Sequence, residues 1–126
     1  MKKTIEDIAE QDGRYNPRGL KFVFDGLTHT IDKFHQNEDP ESPARHITGQ
    51  ELCLGLADLA VQRWGRLAGM VLHKWGICRT RDFGEIVYLM ISYGWMTSQE
   101  TDVIEDFDDV FDFVEFFERD YTIELR

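Results

Sequence analysis

Apolar residues recur along this chain at spacings of three and four, and the breaks between them fall on residues that start or stop helices. Thr4 and Asp7 make a Thr-x-x-Asp cap ahead of Ile5 and Ile8, and Gly13 closes that short helix. Asn16-Pro17 opens the next, with Asn as the cap and Pro at the first helical position, where its missing N–H costs nothing. Leu20, Val23, Phe24, Leu27, Ile31 and Phe34 then share one face as far as about His35. The stretch Gln36–Arg45 has two prolines and no apolar period, so it reads as a loop.

Thr48 and Glu51 form a Thr-x-x-Glu capping box, the strongest helix start in the chain. Behind it Leu52, Cys53, Leu56, Ala57, Leu59, Ala60 and Trp64 cover a wide arc, which Leu54 and Val61 extend. A helix apolar over most of its circumference is expected at the buried centre. Gly65 ends it. A shorter helix with Leu67, Ala68, Val71, Leu72 and Trp75 runs to Gly76, and Thr80 is expected to cap the next. Phe83, Ile86, Val87, Met90 and Ile91 form its inner face, and Gly94 ends it.

After a turn at Trp95–Thr101, Asp102 with Glu105 is expected to cap a last helix over about 103–119. On it Phe107, Val110, Phe111, Val114, Phe117 and Tyr121 would share a stripe. Phe113 would lie on the flank, and Phe116 nearly opposite among Glu105, Asp109 and Asp112. The pattern therefore predicts an all-α, compact single-domain bundle of about six helices over residues 1–126. Segments 49–64, 66–75 and 81–93 have the lengths of a trihelical, helix-turn-helix-like core.

Charge changes this picture at one end only. The formal net charge is −10, yet residues 100–126 alone hold two Arg against 11 Asp/Glu. Such a balance argues against nucleic acid or anionic lipid, which both reward clustered Lys/Arg, and favours a basic or aromatic-binding protein partner or self-association. The N-terminal stretch turns acidic without an apolar run, and no stretch reaches the ~18–20 apolar residues of a membrane span. The expectation is a cytoplasmic protein with no membrane segment.

Candidate chemistry is sparse. Cys53 and Cys78 form no C-x-x-C and show no nearby His pattern, so they read as small core or near-surface residues. Asp82-Phe83-Gly84 matches a kinase magnesium triplet, but the phosphate loop and strand lysine of that site are missing; it reads as a first-turn acid followed by a core residue. Asp25, His29 and Asp32 share a helix face at metal-ligand spacing, and His46 stands beside the capping box, which leaves a metal or small-ligand site as one alternative. No Gly-x-Gly-x-x-Gly, Walker loop or nucleophile elbow occurs, so no catalytic residue, cofactor or metal ligand is assigned and an enzyme is not the leading reading.

A helix-turn-helix reading makes 81–93 the recognition helix, showing Arg81, Glu85, Tyr88 and Ser92 outward. It needs a basic patch drawn from Arg14, Arg18, Lys21, Arg45, Arg63, Arg66, Lys74, Arg79 and Arg81. Two arginines among acids supply too few phosphate contacts, so nucleic acid is the weaker alternative. The candidate partner surfaces are instead Phe113, Phe116, Asp109 and Asp112 at the acidic end, and Arg81, Glu85 and Tyr88 on the preceding helix. Burying both misfit phenylalanines would need a second surface, worth about 1.5–3 kcal/mol for each side chain.

Three stretches, His46-Ile-Thr-Gly-Gln-Glu-Leu52, Val71-Leu-His-Lys-Trp-Gly-Ile77 and Thr80-Arg-Asp-Phe-Gly-Glu-Ile-Val87, resemble a family of small uncharacterised bacterial proteins of planctomycete and verrucomicrobial type. The likeness continues through Asp102–Phe107 and spans about Tyr15 to Phe113. It implies a free-standing cytoplasmic bacterial domain with the acidic segment built into it, and it brings no activity, ligand or catalytic residue. The function expected is that of a non-enzymatic, acidic, helical protein-interaction or regulatory domain.

Overall fold

The computed structural model describes residues 3–35, 47–97 and 103–120; the expected loop, His46, the Asp102 cap and Tyr121 lie outside them. The described residues are all-α, with no strand. Helix α1 (Ile5–Asp12) is capped by the Thr4 hydroxyl, which accepts from the Asp7 N–H at 3.1 Å. Helix α2 (Pro17–His35) follows Asn16, whose side-chain oxygen accepts from the Arg18 N–H at 2.8 Å. Helix α3 (Gly49–Trp64) begins with the complete capping box: Thr48 accepts from the Glu51 N–H at 3.1 Å, and Glu51 accepts from the Thr48 N–H at 3.0 Å. A 3-10 turn (Gly65–Leu67) leads into α4 (Ala68–Lys74), and α5 spans Thr80–Ser92.

The α2–α3 crossing organises the molecule. Gly26 of α2 faces Leu56, and Gly55 of α3 faces Thr30, each with no room for a Cβ. Two glycines thus let the helix axes come close enough to bury Thr30, whose hydroxyl donates to the Gly26 carbonyl at 2.7 Å. Around this contact Ile8, Leu20, Phe22, Val23, Leu56, Leu72, Ile86 and Met90 close a single buried cluster. Trp64 and Trp75 pack against it, with centroids 5.2 Å apart for Phe22–Trp64 and for the edge-on Trp64–Trp75 pair. Helix α3 is apolar over a wide arc as its pattern requires, but Leu54 remains exposed.

Two expectations are corrected at the C-terminal side. Residues 103–119 do not make one helix. Ile104–Phe107 is a 3-10 turn, Asp109 takes a left-handed φ of 49°, and a π-helical segment covers Val114–Asp120. The second correction supplies the reason for the first: Thr80 does not cap α5. Its buried hydroxyl donates to the Phe107 carbonyl at 2.6 Å and accepts from the Val110 N–H at 3.2 Å. Those two groups belong to the hydrogen-bond ladder of any helix running through residues 106–111, so their capture by α5 breaks that helix.

Breaking it also resolves the phenylalanine misfit. A straight helix would point Phe113 and Phe116 away from the stripe, whereas the bent chain gathers Phe111, Phe113, Phe116 and Phe117 into one cluster. Its ring centroids lie 4.9 Å apart for Phe111–Phe116 and for Phe116–Phe117, and 5.1 Å apart for Phe113–Phe117. Phe83 of α5 anchors it, 5.6 Å from Phe113. Phe107 sits separately, pressed against Gly49 and Gly84, where neither residue offers a side chain to obstruct it.

A candidate groove between helix α5 and the acidic segment

The start of α5 is built by Asp82. Reaching back one turn, its buried carboxylate accepts from the Cys78 N–H at 2.9 Å and from the Tyr15 hydroxyl at 2.7 Å. A carboxylate at a helix N-terminus is favoured by the dipole, and here it also ties the α1–α2 connection to α5. Burial, reinforced by the Asp82 hydrogen bond, pushes the Tyr15 hydroxyl well above the usual phenol range. The Asp82-Phe83-Gly84 triplet is therefore architecture: a buried brace, a core ring and a gap for Phe107.

Beside this start runs a chain of ion pairs. Arg14 binds Asp12 and Glu85, each at 2.9 Å, and Arg81 binds Glu85 at 3.1 Å and Asp108 at 3.0 Å. The hydrogen bonds from Arg14 and Arg81 hold the Glu85 carboxyl below its ordinary range. Linked in this way, α1, α5 and the acidic segment share one network on a partly wet surface.

Between α5 and the acidic segment lies an open groove of about 820 Å³. One side is made by Cys78, Arg79, Thr80, Arg81 and Glu85, and the other by Asp108, Asp109, Phe111, Asp112, Phe113 and Val114. Arg81 and Glu85 of one candidate surface and Asp109, Asp112 and Phe113 of the other, separate in the sequence, thus line one feature. Asp109 and Asp112 are exposed on it, and Asp112 also accepts from the Glu115 N–H at 3.0 Å. Phe113 is half-buried, with the groove on one side and Phe83 on the other.

Two of the named residues do not join it. Phe116 is half-buried within the phenylalanine cluster and lies outside the groove lining. Tyr88, half-buried too, faces a smaller cavity of about 220 Å³ among Leu27, Ile31, Val87 and Phe107.

The alternative sites come apart. His29 turns to Asp58 of α3 at 2.8 Å, and Asp25 lies 3.6 Å from Arg63, so the Asp25, His29 and Asp32 row does not converge. Among the described residues no group of three His, Cys, Asp or Glu side chains could hold a metal. Of the basic residues a nucleic-acid surface would need, Arg14, Arg63 and Arg81 are engaged by carboxylates. Among the described residues no helix is long and apolar enough to cross a membrane.

One pair went unread in the sequence. The cysteines belong to no metal or redox spacing pattern, yet His73 Nδ1 lies 3.3 Å from Cys78 Sγ. His73 and Cys78 are five residues apart, a spacing with no helical logic. The turn at Gly76, with φ 90° and no room for a Cβ against the Arg14 carbonyl, folds one back beside the other. Comparison with protein-family models, curated proteins and solved structures returns no match to this chain.

Proposed function

We propose that this protein is a non-enzymatic interaction domain whose groove takes a basic, partly apolar segment of a protein partner. One observation carries the reading: the groove lining holds four carboxylates, those of Glu85, Asp108, Asp109 and Asp112, against two guanidiniums. Arg81 is already bound by Glu85 and Asp108, so Asp109 and Asp112 are the acids that remain for a partner's Lys or Arg. Phe113 and the exposed Val114 add an apolar strip beside them, suited to an aliphatic or aromatic residue next to the charge. DNA and RNA would meet repulsion on the same surface. A cytoplasmic setting suits the reading, because Cys53 and Cys78 form no disulfide with each other. The likeness to small bacterial proteins agrees with such a setting and adds no partner.

Fluorescence anisotropy with two peptides of equal length tests this, one alternating Lys/Arg with Leu/Phe and one carrying Glu in place of the basic residues. The basic peptide should bind, weaken as salt rises, and lose about fivefold in affinity to the Asp109→Asn/Asp112→Asn variant, as two exposed pairs near ~0.5 kcal/mol each would give. Equal binding of the acidic peptide, or an unchanged affinity in the double variant, overturns the reading. So does tighter binding of a mixed-sequence DNA duplex, or sedimentation showing a dimer that both peptides fail to dissociate.

A further inference from the structure

The His73–Cys78 pair stands where the groove meets a neighbouring cavity of about 330 Å³, and Cys78 lines both. Gly69, Met70, Ile77, Phe113 and Val114 form the apolar part of that cavity, and Met70 and Val114 are exposed. Cys78 is exposed as well, whereas Cys53 is completely buried in α3, its thiol pushed up to about 12 by burial. One chain thus carries a sealed thiol and an open one with a base beside it.

We propose that Cys78 is a thiol-modification site, taking half of a small uncharged or cationic disulfide by exchange with His73 as the base. Cys78 Sγ attacks one sulfur of the reagent while its proton passes to His73 Nδ1, in the tautomer that carries its hydrogen on Nε2. A new S–S bond forms to Cys78 and the reagent's S–S bond breaks. The departing half leaves with the bonding electron pair as a thiolate and takes up the proton. Cys78 and the retained half end oxidised as a mixed disulfide, and the departing half is reduced to a thiol. The apolar cavity gives the retained half a seat. The groove lining carries four carboxylates against the two guanidiniums of Arg79 and Arg81, a balance that disfavours an anionic reagent.

The base is required by the thiol's own surroundings. Partial burial raises the Cys78 thiol above its ordinary range, Asp82 adds to this, and Arg79 opposes it. A thiol held up in this way needs a neighbour to take its proton, because the ionised form is the nucleophile. The contrast with Cys53 is one of access, and the contrast with an ordinary surface cysteine is one of catalysis.

The test uses 4,4′-dithiodipyridine, a neutral chromogenic disulfide, on the folded full chain, with mass spectrometry to locate the label. One thiol, Cys78, should react rapidly at pH 7, and Cys53 only after denaturation. His73→Ala and the bulk-preserving His73→Gln should both slow the reaction, on the order of a hundredfold, by removing general-base help. The gap should narrow as pH rises, because hydroxide then removes the thiol proton without help from His73. Relative to their rates with a small free thiol, which removes their intrinsic difference in reactivity, cystamine should outpace oxidised glutathione on the wild-type chain by roughly tenfold. Unchanged rates in both His73 variants at pH 7, labelling of Cys53 first, or a faster relative rate with oxidised glutathione each overturn the proposal. Peptide affinity is read separately from labelling rate, so this inference and the groove reading fail independently.

Discussion

Helix α3 and residues 103–120 are both rich in apolar side chains, and the sequence predicts a capped helix for each. Only α3 forms one. Its apolar residues, Leu52, Leu56, Leu59 and Ala60 among them, recur at the helical period and meet helices on more than one side, so local preference and tertiary packing demand the same backbone. In the acidic segment they conflict. Six apolar residues fit a helical stripe, two phenylalanines do not, and α5 offers a hydroxyl that competes for the helix's own backbone groups. The segment gives up regular helix and packs Phe111, Phe113, Phe116 and Phe117 against one another, with Phe83 beside Phe113. A helical pattern with misfits is an instruction to find a second surface, and here that surface belongs to the same molecule.

Phe83 joins the two regions, so its removal should have the largest effect. Phe83→Ala is expected to cost about 3–5 kcal/mol, read as a lower urea midpoint, with both regions loosened together in hydrogen exchange. If only the acidic segment loosens, the two are less integrated than this packing implies.

A matched pair of glycine variants separates the regions. A methyl at Gly55 meets Thr30 in the α2–α3 crossing, and a methyl at Gly84 meets the Phe107 ring at 2.7 Å. Each alanine should cost about 1–3 kcal/mol by overpacking. Gly55→Ala should lower protection throughout α2 and α3, while Gly84→Ala should release residues 103–120 and leave α2 and α3 protected. Identical exchange patterns in the two variants would erase the distinction between helical core and clasped segment.

Acid gives the smallest effect and concerns the ion-pair chain alone. Because Glu85 has a lower pKa in the fold than in the unfolded chain, it stabilises fully above the unfolded value of about 4.3. That contribution fades as pH falls through the lower folded value. Glu85→Gln should therefore be slightly less stable than wild type at pH 7, and the two urea midpoints should converge in acid, once pH has fallen through the lowered folded value. A difference that persists in acid would mean that Glu85 acts by packing rather than by charge.

The parts of the fold that could be read in advance are those whose cause lies within a few residues. Thr4, Asn16 and Thr48 cap with oxygens two or three positions from the N–H they receive, and Gly13, Gly76 and Gly94 adopt positive φ where helices end. Thr80 looked like the same kind of cap, but its partners are 27 and 30 residues away. No pattern marks Gly26 and Gly55 as the floor of a helix crossing, because each reveals its role only when Leu56 and Thr30 arrive opposite. The candidate groove behaves in the same way. Arg81, Glu85, Asp109, Asp112 and Phe113 could be named individually from their exposure on a helical wheel, but their meeting across one gap could not.

The sequence alone determined an all-α chain, the positions of most helix starts and stops, and the acidic, phenylalanine-rich character of its end. Those follow from backbone propensity, capping and charge, which act over one or two helical turns. The tertiary structure decided that the end is a bent clasp, that parts of two candidate surfaces line one groove, and that His73 lies beside Cys78. Each of these depends on groups far apart in the chain competing for the same hydrogen bond or the same space, a contest that only the folded packing resolves.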